Sequence, residues 1–184
     1  MDIIPKEHVM LQPIVCILDE VNAGLVEKII NQSKTDKIYP RHDLGVVINS
    51  QGGKVEPGIR LVRHLENLQK NDVFIDLRIY NAVSMAAVIA LAIRGGYREM
   101  ERDGTLLLHT GSFLLQPSDI DNEGIVGSRL KKEISDYKDL FSEILKRFPK
   151  LHSDNHRMAT LAATGWLRLS APECLELELV DQLF

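Results

Sequence analysis

Cysteine is almost missing from this sequence. Cys16 and Cys174 are the only two in 184 residues, too few for a disulfide framework and without metal-ligand spacing. Both are expected to be buried, reduced thiols, the usual state of free cysteine. Aromatic residues make up only 5% of the chain, so the core has to be aliphatic. The single tryptophan, Trp166, is expected to anchor the packing of the final segment. No apolar run approaches the roughly 20 residues that a membrane span needs. Positive charge is not concentrated either. The net charge is −4, and the densest basic spot, Arg129, Lys131 and Lys132, is followed within a turn by acids. That pattern is a solvated helix face and argues against a nucleic-acid surface, which needs clustered Lys and Arg. The opening MDIIPKEHVM lacks the charged-then-apolar pattern of a signal peptide. The expectation is a single cytoplasmic domain over 1–184, with neither nucleic acid nor membrane as partner.

What the sequence does have is alternation. PIVCIL (13–18) and LGVVINS (44–50) read as buried strands, and VFIDLRIY (73–80) and TLLLH (105–109) as two more. Between them, 21–32 spaces Val21, Leu25, Ile29 and Ile30 at helical intervals, with Asn22 as N-cap. The segment 55–69 places Ile59, Val62, Leu65 and Leu68 on one helix face, while 84–94 is apolar nearly all round and should be a buried helix. Strand and helix in turn predict parallel pairing with crossover helices, an α/β fold. A long charged helix over 127–148 carries an apolar stripe of Ile134, Tyr137, Phe141, Ile144, Leu145 and Phe148. It is expected to project and pack on something else. At the end of the chain, Ser170 with Pro172 and Glu173 reads as a capped helix start.

Three features follow strand ends, where ligands bind in parallel α/β sheets. They are the Gly52–Gly53 pair, Ser84 and His109. Serine-based acyl transfer needs a hydroxyl, an imidazole to take its proton, and N–H donors for the oxyanion. Taken singly, each feature has a plain structural reading: a helix cap for Ser84, a tight turn for the glycines, a satisfied strand-end residue for His109. Their order along successive strands favours the chemical one. His152 and His156 stand four residues apart, but no third ligand is in register, so neither metal nor cofactor is expected.

These blocks resemble a known family. INSQGGKVEPGIRLVRHLE is similar to the strand-turn-helix of the Clp protease proteolytic subunit (ClpP-like) family. NAVSMAAVIALAIRGGYREMERDGTLLLHTGS resembles its serine helix and histidine strand, and LRLSAPECLELELVDQLF its closing motif. The resemblance implies a ClpP/crotonase-like ββα-superhelix of repeated strand-helix units, with a projecting handle helix in the region of about 111–148. It implies Ser84 as nucleophile, His109 as general base, and Gly53 and Met85 as oxyanion N–H donors. It further implies a serine endopeptidase that takes unfolded polypeptide as an added strand beside Lys54–Val55 and Thr110–Ser112. Heptameric rings forming a homo- or hetero-oligomeric chamber are implied, with a AAA+ unfoldase as candidate partner.

The sequence departs from the family at three places. The triad Asp is expected four residues ahead of Ser170, where Trp166 stands; the third member is unknown, with Asp154, Asn155 and Thr164 as substitutes to weigh. Tyr80 replaces a usual Gly, and Gly111 replaces a Pro two residues after the histidine. The alternative reading is therefore a catalytically weak or inactive ClpP-like subunit in a mixed complex. A crotonase-type thioester enzyme is the third.

Overall fold

The structure, a computed structural model, describes residues 14–34, 43–94, 96–111 and 127–184. It opens with β1 (Ile14–Ile17), α1 (Ala23–Gln32), β2 (Asp43–Ser50) and α2 (Val55–Lys70). There follow β3 (Phe74–Val83), α3 (Met85–Ala92), β4 (Arg98–His109) and the long α4 (Ser128–Lys146). Two short helices, α5 (Pro149–Ser153) and α6 (Asn155–Thr164), lead to β5 (Trp166–Ser170), α7 (Ala171–Glu176) and β6 (Gln182–Leu183). Local signals start several of these elements. Asn22 accepts the Leu25 N–H at 3.0 Å to cap α1. At α7, Glu173 and Ser170 form the reciprocal capping box, and Pro stands in the first turn.

The described strands form one six-stranded sheet in the order β1-β2-β3-β4-β5, with β6 against β4. β1 to β4 run parallel, and β5 joins β4 antiparallel. This is the mixed α/β architecture expected from the sequence. Strand side chains alternate between two faces. On one, Val15, Ile17, Leu44, Val46, Ile48, Ile75, Leu77 and Ile79 are buried in a single aliphatic core with the helices. On the other, Ile14, Cys16 and Phe74 are exposed.

Several expectations need correction. Cys16 lies on the exposed face; only Cys174 is buried, and burial pushes its thiol pKa up to about 12. β3 continues three residues beyond Tyr80, through a register shift between Ile79 and Asn81. β4 starts at Arg98 rather than Thr105, because the polar run REMERDG is held between β3 and β6. WLRLS forms β5, a strand that alternates in burial along its length.

Part of the α4 stripe packs within this chain, while Ile134 is only half-buried. Tyr137, Phe141, Ile144 and Leu145 are buried in this chain's own core, with α4 lying beside α2 and α3. His64 is half-buried beside the Ser33 hydroxyl, 2.8 Å away, and desolvation lowers its pKa. Ser112 and the rest of the chain to 126 lie outside the described residues.

Candidate active site

The site is built where β2, β3 and β4 end. β3 remains in the ladder up to its last residue, and the Ser84 N–H donates to Leu107 O at 2.9 Å. The chain then turns sharply into α3, with Ser84 at φ 57° and ψ −126°. A positive φ on a residue with a Cβ costs of order 1–3 kcal/mol and persists only where the surroundings impose it. Burial of every residue of α3 supplies that constraint. Ser84 stands at the N-cap position, yet its side chain makes no capping bond. Its Oγ lies 2.6 Å from His109 Nε2 instead.

His109 ends β4 and is 8% exposed. Its backbone is held by the buried Tyr137 hydroxyl, which donates to His109 O at 2.7 Å. The next residue is also anchored, the Thr110 N–H donating to Gly165 O. Nδ1 accepts the Gly111 N–H at 3.0 Å. Desolvation lowers the imidazole pKa below its ordinary 6.5, so the ring is neutral at pH 7.

The Gly52–Gly53 turn lies against the head of α3. A Cβ on Gly52 would fall 2.7 Å from Ser84 Cβ and 3.0 Å from the Met85 N. Gly52 N–H is taken by Ser50 Oγ at 3.1 Å, while that hydroxyl donates to Asp19 O at 2.6 Å. Ser50 thereby ties the end of β1 to the glycine turn. Gly53 forms a parallel bridge with Val21, made by Val21 N–H to Gly52 O and Lys54 N–H to Val21 O. In such a bridge the central residue's own N–H and C=O point to the opposite side. The Gly53 N–H therefore points away from Val21. Met85 N–H is in the first turn of α3, where no intrahelical acceptor exists.

Trp166 is the cross-strand partner of His109, and its ring lies 4.5 Å from the imidazole, tilted by 36°. The place expected for an acid thus holds an aromatic face. The three substitutes do not reach the histidine. Asp154 caps α6 and pairs with Arg157, whose backbone and side-chain donors hold its pKa down. Thr164 bonds within its own turn and to Trp166. Asn155 has no contact with His109 among the described residues. Glu173 caps Ser170 and pairs with Arg157. Tyr80, which replaces a small residue, stays clear of the serine: its ring packs edge-on against Phe184 at 5.5 Å.

The site also includes Ser50, the Tyr137 hydroxyl and the Gly111 N–H, to which the sequence alone assigns no role in it. The INSQGG block could have suggested Ser50, a hydroxyl two residues before a glycine turn and placed to accept its N–H. Among the described residues no group of His, Cys, Asp and Glu could hold a metal ion.

A strained serine and a buried histidine thus lie in hydrogen-bond contact at the carboxyl edge of the parallel strands of an α/β domain. The family model described as Clp protease matches residues 4–184. The chain belongs to the Clp protease family, a family of ClpP-type serine peptidases that are generally oligomeric. No curated protein matches the chain. No helix among the described residues is long and apolar enough to cross a membrane.

Proposed function

We propose that this protein is a ClpP-type serine endopeptidase acting on unfolded polypeptide within an oligomeric chamber. The 2.6 Å contact between Ser84 Oγ and His109 Nε2 carries the reading. A serine serving only as a cap would spend its hydroxyl on α3, and this one does not. In the reaction, Ser84 Oγ attacks a peptide carbonyl while His109 Nε2 takes its proton. The tetrahedral oxyanion is met by the Gly53 and Met85 N–H groups. His109 then protonates the leaving amine, and water hydrolyses the acyl-enzyme with the same base. Substrate is recognised by backbone pairing, which is tolerant of sequence. Heptameric rings, cytoplasmic location and a AAA+ unfoldase partner complete the proposal.

A fluorophosphonate probe tests it. The wild type is expected to be labelled on Ser84, Ser84→Ala to show no labelling, and sedimentation to show an oligomer. Absence of labelling in every assembly state would overturn the peptidase reading.

Desolvation of His109 sets the pH dependence. Only the neutral ring can act as base, so the labelling rate should rise with pH about a midpoint below 6.5. The same shift affects folding. Between the folded pKa and 6.5 the unfolded chain binds more protons, so stability falls as pH drops through that window. A labelling midpoint above 6.5 would contradict the assignment of His109.

The second reading is a weak or inactive subunit with a structural or regulatory role in a mixed complex. The aromatic ring opposite His109, where an acid is needed, favours it.

A further inference from the structure

A neutral imidazole has one N–H and one acceptor nitrogen. At His109 the acceptor is already determined: Nδ1 receives the Gly111 N–H at 3.0 Å. The ring proton must then sit on Nε2, where it donates to Ser84 Oγ, 2.6 Å away. This is the reverse of what a general base requires, since a base must accept the serine proton at Nε2. The imidazolium formed by such a transfer would carry N–H on both nitrogens and place its Nδ1–H against the Gly111 N–H. A donor facing a donor disfavours the charged ring.

We propose that the Gly111 N–H is a tautomer lock on His109, with Trp166 as the packing face that keeps the ring in its grip. Gly111 and Trp166 are positioning residues; they act through the imidazole. In the resting site the lock holds Ser84 as a hydrogen-bond acceptor, so its reaction waits on a change of tautomer. Base function begins when the Gly111 N–H passes to another acceptor and the proton can move from Nε2 to Nδ1. No bond to the protein is made or broken in that exchange beyond the proton shift on the ring. Gly111 meets the geometric requirement through a φ of 105°, a conformation that favours glycine. A proline at this position has no N–H and would leave Nδ1 free.

This inference rests on the Ser84–His109 reading but has its own readout. Protein with 15N-labelled histidine, observed by NMR at a pH where the ring is neutral, should show His109 protonated on Nε2 and bare on Nδ1. The His109→Gln protein assigns the signal. A resting Nδ1–H tautomer would overturn the proposal. Trp166→Asp places a carboxylate on the cross-strand neighbour of His109, where it can accept an Nδ1–H. The tautomer should then switch.

Fluorophosphonate labelling should accelerate at least about tenfold, part of the roughly 10⁴-fold that a wrong histidine tautomer costs a serine hydrolase. Trp166→Phe keeps an aromatic face and should retain the resting tautomer. A folded Trp166→Asp protein with the wild-type tautomer would refute the lock. If that variant does not fold, Gly111→Pro removes the donor in any backbone conformation. It too should lose the pure Nε2–H state, and an unchanged spectrum would refute the lock. If the tautomer switches as expected and no variant is labelled, the peptidase reading falls while the assignment of Gly111 stands.

Discussion

Gly52→Ala is expected to cut serine reactivity about 10²-fold or more while leaving the Ser84 and His109 side chains in the sequence. The new methyl would lie 2.6 Å from Val83 O and 2.7 Å from Ser84 Cβ, distances that real side chains do not occupy. Neither neighbour can yield cheaply. Val83 O belongs to the end of β3, and Ser84 is already held in a positive-φ turn by the buried helix behind it. Gly52 itself has φ 93°, which adds strain of order 1–3 kcal/mol for any residue with a Cβ. The turn must therefore move away from α3, and displacements of about 1 Å cost reactions on the order of 10²-fold. The expected result is a fluorophosphonate labelling rate lower by about that factor or more. Denaturant unfolding should show the strain as a lower midpoint. Normal labelling by Gly52→Ala would show that the glycine turn has no part in the site.

Tyr137→Phe tests the support beneath the histidine. The hydroxyl is the described side-chain donor to His109 O, and both groups are buried. Its removal leaves a carbonyl short of a partner at a cost of about 1–3 kcal/mol. The ring stays, so its stacking on Phe141, centroids 5.7 Å apart, is retained. Tyr137→Ala also removes the ring and should cost about 3–5 kcal/mol, the range for large aromatic truncations in cores. Urea titration of the two variants separates the contributions. Labelling should slow in Tyr137→Phe while the Nε2 contact with Ser84 remains. A Tyr137→Phe protein as stable and reactive as wild type would place the anchoring of His109 entirely in β4 and β5.

Much of the layout was legible because its signals are local. The apolar runs of β1, β2 and the first part of β3, the Asn22 cap and the Ser170–Glu173 box each need only a few neighbouring residues. Ser84 and His109 were legible as strand-end residues, and their contact follows from adjacent parallel strands. The first half of β4 was not legible, since REMERDG has no apolar alternation. It is a strand because its polar groups find cross-strand partners, Arg78 with Glu99 at 2.7 Å and Gln182 with Glu99 at 2.8 Å. The stripe of α4 was read correctly as sticky, but periodicity does not name the surface that a stripe will cover. The partner of Nδ1 was beyond reach for a different reason. It is a backbone N–H, and where it points depends on the φ of one glycine.

The tyrosine contact gives α4 a role beyond covering the core. His109 is fixed at its main chain by a side chain that arrives from a helix outside the sheet. The histidine is thus hung between two supports, one in the sheet and one on α4. A shift of α4 along its bed would reach the His109 main chain through the 2.7 Å bond from Tyr137, like a bell rope through a wall.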